Sequence, residues 1–466
     1  MGQPAPVRIV HLGLGAFHRA HEAWYTQNAV DGAEWGIAAF TGRTAEVAAQ
    51  LEPQGGLYTL VERGDESDRF EVISTVVRVA PGSDLATFID LVSHPEVAIV
   101  SLTITEAGYR IDETGGPDLS NPAVADDLVQ LRSTIGGGRK LTNTKVTTAL
   151  ARLLLGLEAR RRVAAPPLAI LPCDNLPSNG PMVRRVLEVL AELVDPGLAT
   201  WLSTGVTFVS TSVDRITPRT TEADKRAVLL GTGWRDESPV VCETFSDWVL
   251  SGEFPAGRPA WETAGARFVA DIEPWEQRKL WMLNGAHTVL AAFGLLRGHA
   301  LVSDAIADAA CLALVERLWV EDARHLPGVE VDDYAVQLLS RFQNPRIEHR
   351  LDQIATDTIT KLRLRIVPVA ERERARGRSA EGCASAIGSW ILAVSRGVLP
   401  PPTGLRSDSS LAELISAVDT RLGRDREFCD IVAAALGELL PMVSAIDATR
   451  AGTPFLPETQ VLGTDR

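Results

Sequence analysis

The chain has 466 residues, 45% of them hydrophobic and 23% charged, with a formal net charge of −14. That length exceeds what one hydrophobic core serves, so two domains or more are expected. The acid excess argues against nucleic acid as the main partner and gives no attraction to anionic membranes, while a small anionic substrate stays compatible with a locally basic site.

Val7 to Leu12 is a short apolar run, β-branched in part, that ends in a glycine turn. Such a run predicts a buried strand. Gly13-Leu14-Gly15-Ala16-Phe17-His18 follows, and then a helical stretch to Val30. Strand, glycine turn and helix together predict a dinucleotide cradle. Gly13 permits the tight turn, Gly15 lets backbone N–H groups approach a pyrophosphate, and Ala16 and Phe17 open the helix. The third glycine of GxGxxG is replaced by His18.

Trp35 to Phe40 reads as the second strand, where a dinucleotide fold places an acid for the ribose hydroxyls. Here the strand runs into Arg43, with Glu46 the nearest acid. Arg43 suits a 2′-phosphate or is a solvated loop residue, so NADP stays open beside NAD. Leu57 to Val61, Phe70 to Val79 and Val97 to Thr105 are β-like, the last followed by Glu106. Thr147 to Arg162 reads as an amphipathic helix. Leu168 to Pro172 delivers Asn175 at its end, and Thr207 to Ser212 delivers Asp214. Ligands of open α/β sheets sit at the carboxyl ends of strands, so Glu106, Asn175 and Asp214 are candidate site residues. Each alone is better explained as a turn former, and it is the convergence of three that points to a site.

Beyond about residue 290 the texture becomes helical: Ser303 to Trp319, Tyr334 to Phe342, Ile347 to Leu364, Ser379 to Val398 and Asp408 to Leu440. Where the textures meet lies EQRKLWMLNGAHTVL (276–290). At about 100° per residue, Glu276, Lys279, Asn284 and His287 share an arc of roughly 140° on an otherwise apolar helix. Buried polar groups need partners or a purpose, and burial makes a lysine a usable base. The alternative is a core helix with satisfied polar residues.

The five cysteines (173, 242, 311, 383 and 429) are scattered without a CxxC pair, as in reduced cytosolic proteins. The chain enters VRIVHLGLG without a signal-peptide pattern and holds no uncharged apolar run of 18 residues. A cytoplasmic protein without a membrane anchor is expected.

These residues resemble the polyol-specific long-chain dehydrogenase/reductase family, which includes mannitol 2-dehydrogenases and fructuronate reductases. The similar motifs are GLGAFHRAH (13–21), SLTITEAGY (101–109), CDNLPSNG (173–180), VDRITP (213–218), FPAGRPAWE (254–262) and KLWMLNGAH (279–287). The resemblance implies metal-independent hydride transfer between a nicotinamide and a secondary alcohol or ketone. It implies Lys279 as general acid/base, Asn175 and Asn284 as donors to the alkoxide, and His287 as the residue that orients the reacting oxygen. Glu276 is implied in proton exchange near the lysine, and Asp214 as a site aspartate. The segment RFQNP (341–345) followed by His349, Arg350, Gln353, Asp357 and Lys361 is more similar to fructuronate reductases than to mannitol 2-dehydrogenases. His349 and Arg350 are therefore expected to bind substrate, Arg350 by a fork on a hexuronate carboxylate. The alternative pairs Arg350 with Glu348 or Asp352. A departure from the DGSQKLPQR-like run at 357–363 leaves the exact sugar open.

The reading is an α/β Rossmann-type dinucleotide-binding domain at 1–275, followed by a mainly α-helical catalytic domain at 276–466. The expected chemistry is NAD(H)-linked interconversion of a ketose or hexuronate with its alcohol. D-fructuronate with D-mannonate comes first, and D-mannitol or D-arabinitol pairs are the alternative. The partner is a small sugar acid or polyol, in a monomer or weak homo-oligomer.

Overall fold

Twelve short strands organise the first part of the chain in the computed structural model, which describes residues 4–137, 139–406 and 409–447. They are β1 (Val7–Leu12), β2 (Gly36–Phe40), β3 (Tyr58–Arg63), β4 (Asp68–Ile73), β5 (Val76–Ala80) and β6 (Ile99–Leu102), then β7 (Leu168–Pro172), β8 (Val206–Phe208), β9 (Ser210–Asp214), β10 (Val240–Glu243), β11 (Asp247–Ser251) and β12 (Arg267–Phe268). Six of them form a parallel sheet in the order β5-β2-β1-β6-β7-β8. Numbered within the sheet this is 3-2-1-4-5-6, the doubly wound order, with its switch point between β1 and β6. Strands β2, β6 and β7 are buried throughout, so both faces of the sheet are covered and their sequences are apolar without alternation. One face packs Val10, Phe40 and Val100 against Phe88, Leu154 and Leu187; the other packs Ile9, Ile37 and Ile99 among Tyr25, Trp248 and Trp261. Two three-stranded sheets, β10-β3-β4 and β12-β11-β9, complete this unit.

Several predicted segments are subdivided. The helix expected up to Val30 is two helices, Ala16–Ala20 and Glu22–Asn28, broken at His21, whose φ of −119° and ψ of −93° fit no helix. The run Phe70 to Val79 crosses from one sheet to another between Ile73 and Val76, and Thr207 to Ser212 does so at Val209. A continuous β-prone run does not reveal which sheet each half joins.

The chain divides into two compact units, 1–273 and 274–466. Among its described residues the second holds helices and one isolated bridge, Leu301 with Arg350. The run Ser303 to Trp319 is split at Asp308, whose carboxylate accepts the Ala310 N–H and starts the helix Ala309–Ala323. The run Ile347 to Leu364 becomes Leu351–Ile354 and Thr358–Arg365, separated at Asp357 with φ +53°. The helix Val367–Ala375 was not expected. Asp408 lies outside the described residues; the rest of that prediction is two helices, Leu411–Val418 and Arg426–Asp447. At the centre runs Glu381–Ser395, buried from Gly382 to Val394, its first turn held by Glu321, which accepts the Gly382 and Cys383 N–H groups at 2.8 and 2.9 Å. Among the described residues no helix is long and apolar enough to cross a membrane.

Candidate functional site

The glycine turn sits at the switch point of the large sheet. Gly13 has φ +112°, and a Cβ there would meet the Thr103 carbonyl oxygen at 2.0 Å, so only glycine lets β1 and β6 approach this closely. The Gly13 and Leu14 N–H groups both donate to Phe40 O at 2.9 Å, which fixes the turn to the end of β2. A Cβ on Gly15 would meet no atom nearer than 3.5 Å, which leaves its backbone open to a ligand. Gly13, Gly15, Ala16 and Phe17 are thus set as a pyrophosphate cradle requires, and the residues present fit a dinucleotide. Arg43 is exposed in the loop after β2, the place where the ribose of such a ligand is met.

His18 explains the missing third glycine. That glycine normally permits close helix–strand packing. Here the buried His18 ring stacks on His11 of β1 at 3.5 Å, and a polar layer takes over the packing. His11 Nδ1 lies 2.8 Å from Ser101 Oγ, whose hydroxyl donates to Glu22 at 2.7 Å. Burial, with His11, Arg19 and His21 nearby, holds His18 well below the usual imidazole range, so it is neutral. His11, His18 and Glu22 also form a possible metal set. The stacked rings are only 15° from parallel. Their in-plane lone pairs run side by side and do not converge on one ion. In a second set, His299, Asp308 and Cys311, the carboxylate already accepts from Arg297 at 2.5 Å and His299 at 2.9 Å.

Glu106 and Asn175 follow β6 and β7, and Asp214 is the last residue of β9. Glu106 is exposed at the start of the one-turn helix Glu106–Tyr109, and Asn175 is exposed in the loop after β7, whereas Asp214 is buried. What holds the Asn175 loop was not evident from sequence. The Tyr109 hydroxyl donates to Asp174, joining the segments after β6 and β7, and burial pushes the Asp174 carboxyl up to about 6. Asn179, fully buried, donates from Nδ2 to Thr211 O at 3.0 Å and Pro172 O at 3.3 Å, and accepts the Thr211 N–H at 2.9 Å. Asn179 therefore ties the ends of β7 and β9 together around Asn175. Tyr109 and Asn179 both lie inside the motifs already singled out, which was the available signal.

In the second unit, the stretch 276–290 is not a plain α-helix. The α-helix Glu273–Arg278 passes into a π-turn, Lys279–Leu283, then the α-helix Asn284–Val289, then a second π-turn, Leu290–Gly294. The Asn284 N–H reaches the carbonyl of Lys279 as well as that of Leu280. A residue bonded five positions back in a π-turn stacks over that position, as the fourth does in an α-helix. Lys279, Asn284 and His287 consequently line one face more tightly than the arc expected for an α-helix. Trp281, Met282 and Leu283 point into the core. Glu276, Lys279 and Asn284 are half-buried and His287 is buried.

The His287 ring contacts Phe342 at 4.9 Å and His349 at 4.6 Å, and its Nε2 is buried without a hydrogen-bond partner. Burial, then His349, Arg341, Arg365 and Lys361, hold it well below the usual range. A neutral imidazole here suits binding of a hydroxyl or carbonyl oxygen. His349 thus packs against His287, and Arg350 is held elsewhere. Its side chain is 51% exposed, and its fork lies on Asp352, with Nη2–Oδ2 at 2.6 Å and Nε–Oδ1 at 3.0 Å. The pairing that sequence set against a carboxylate role is the one present, because Asp352 is two residues away and both side chains face solvent.

The comparisons with known proteins follow this architecture. The model described as the mannitol dehydrogenase Rossmann domain matches residues 7–263, and that of the mannitol dehydrogenase C-terminal domain matches 271–396. An uncharacterized oxidoreductase of Escherichia coli K12, YeiQ, is 37% identical over 399 residues, 83% of this chain and 79% of the relative. The D-mannonate oxidoreductase of the same organism is 34% identical over 396 residues, 82% and 79% of the two chains. Among solved structures, the Pseudomonas fluorescens mannitol 2-dehydrogenase in a ternary complex with NAD and D-mannitol superposes with a TM-score of 0.77 at 32% identity, covering 97% of this chain and 95% of that one.

Proposed function

The chain belongs to the mannitol dehydrogenase family, and from that premise we propose that it reduces the keto group of D-fructuronate to D-mannonate with NADH, and runs the reverse oxidation. At the coarser level it is an oxidoreductase of polyols or sugar acids, with NAD as cofactor. The single observation that carries the mechanism is the line of Lys279, Asn284 and His287 on one helix face, set by the π-turn.

The cofactor, when bound, supplies or accepts a hydride at the carbon of the reacting group. Gly13, Gly15, Ala16 and Phe17 would hold its pyrophosphate, and Arg43 and Glu106 would meet it at the ends of β2 and β6. His287, kept neutral by its surroundings, orients the reacting oxygen. In reduction, the Lys279 ammonium gives that oxygen a proton as the hydride arrives at carbon; in oxidation, the neutral amine takes the proton back. Asn175 and Asn284 supply amide N–H donors to the oxygen while it carries negative charge, a role that a water-poor site strengthens. Glu276 passes protons between Lys279 and solvent, and Asp214 binds a substrate hydroxyl.

A D-mannitol/D-fructose pair is the second reading, favoured by the likeness to the mannitol 2-dehydrogenase complex. Steady-state reduction of D-fructuronate and D-fructose, each with NADH and NADPH, separates the two. The proposal expects a kcat/KM for D-fructuronate with NADH at least about 10²-fold above that for D-fructose. A preference for fructose would overturn the choice of substrate and leave the chemistry standing.

A further inference from the structure

We propose that Asp174 is the positioning residue of Asn175, and that it sets the direction of that amide only while it is ionised. The inference rests on the reading of Asn175 as a donor to the reacting oxygen. Backbone pairing at the end of β7 reaches Cys173, whose N–H donates to Leu102 O at 2.7 Å. Asp174 and Asn175 come next, and their side chains part: Asp174 is buried and Asn175 is exposed. What grips Asp174 from within therefore decides where Asn175 points.

The buried Tyr109 hydroxyl, in the one-turn helix after β6, donates to Asp174 Oδ2. Asn179, at the start of the helix Asn179–Val194, places its Nδ2 3.5 Å from Asp174 Oδ1. The Leu176 N–H donates from the turn itself. Asn179 is in turn locked to Thr211 of β9. The turn from 174 to 179 is thus anchored at both ends, and the two anchors meet. Each of these partners presents a donor, and a carboxylate, whose oxygens only accept, satisfies them together. A protonated acid brings a donor of its own into the set, so one contact must reverse or be lost and the turn loosens.

The titratable groups around Asp174 are Tyr109 and Glu106 from the segment after β6 and Cys173 beside it in the chain. Burial holds the Tyr109 phenol and the Cys173 thiol well above their usual ranges, so both stay protonated. Burial also opposes ionisation of Asp174, as does the Glu106 carboxylate, while Tyr109, Asn179 and the Leu176 N–H favour it; the balance falls at about 6. Asp174 therefore carries its charge at neutral pH and loses it just below.

The test follows kcat for reduction between about pH 5 and pH 8 at saturating NADH. It uses whichever of D-fructuronate and D-fructose the wild type reduces faster, and compares the full-length wild type, Asp174→Asn, Tyr109→Phe and Asn175→Ala. In reduction Lys279 acts as the ammonium, so its own titration gives no loss towards low pH. The wild-type rate should fall as the pH drops through about 6. Tyr109→Phe removes a donor to the carboxylate and should move that fall upward by about one pH unit. Asp174→Asn should abolish the fall and lower kcat by about 10-fold, with KM and the NADH dissociation constant within about 3-fold of wild type. A wild-type rate that does not fall through pH 6 would overturn the proposal, as would a fall that Tyr109→Phe leaves in place; the second outcome decides even where Asp174→Asn does not fold. Either of these together with slow Asn175→Ala leaves the amide donor standing without Asp174, whereas near-normal turnover in Asn175→Ala overturns both.

Discussion

The backbone N–H of Asn284 bonds the carbonyl of Lys279, five residues before it. This one bond converts an awkward sequence spacing into a catalytic line. In an α-helix the two residues diverge around the axis; in the π-turn they come into near register. Single π-turns are costly enough that they persist where a function needs them. Inserting an alanine after Leu280 makes the spacing six, which neither an α-turn nor a single π-turn brings into register, and should swing Lys279 away from Asn284. Turnover should fall by at least about 10²-fold while far-UV circular dichroism retains the native helix content. A folded insertion variant with normal turnover would show that the alignment of the two residues is incidental.

The amide donors provide a second check. Asn175→Ala and Asn284→Ala should each lower kcat by about 10²-fold, the scale of a lost oxyanion donor. Michaelis constants should change far less. A near-normal rate in either variant removes that asparagine from the reaction.

Gly13→Ala places a methyl group 2.0 Å from the Thr103 carbonyl at a φ of +112°. Both the clash and the backbone strain oppose it, so β1 and β6 must separate at the cradle. We expect NADH affinity to fall by more than about 10-fold and the protein to lose on the order of 2 kcal/mol of stability. Fluorescence titration with NADH, alongside denaturant melts, reads both effects; unchanged values would mean that the cradle is not formed as described.

Asp322 gives a pH-dependent prediction. It is fully buried, neither carboxylate oxygen has a hydrogen-bond partner, and burial, assisted by Glu321, pushes its pKa well above the usual carboxylate range. The folded state therefore keeps a proton that the unfolded state releases above about pH 4. Stability must fall as pH rises from there towards the folded pKa, by at most about 1.4 kcal/mol per unit. Asp322→Asn removes that dependence. Urea melts at pH 5 and pH 8 should show the variant gaining on the wild type at the higher pH. A constant difference across that range would contradict an acid buried in its neutral form.

Much of the first unit was legible in sequence because its strands are short apolar runs that stop at turns. Val7–Leu12 and Leu168–Pro172 match the predicted bounds. Breaks inside continuous runs were not legible. Val209 and Ser74-Thr75 interrupt β-prone stretches without glycine or proline, since the choice between sheets is made by distant partners. His18 read as a defect in a glycine motif, yet its stack on His11 supplies the packing that the glycine normally allows. The π-turn left no trace in apolar periodicity, because residues 280–283 are apolar whichever way the helix turns. Arg350 was singled out by its type and its neighbours along the chain, while Arg365 reaches the Asn284 turn from another helix, a tertiary fact that spacing does not encode.

The central claim is that Lys279 is the proton-transferring group. Lys279→Ala, assayed for D-fructuronate reduction and titrated with NADH on the same preparation, tests it most directly. The account predicts a loss of turnover of at least about 10³-fold, with the NADH dissociation constant within about 3-fold of wild type. Turnover close to wild type, or a loss explained wholly by weakened NADH binding, would contradict it.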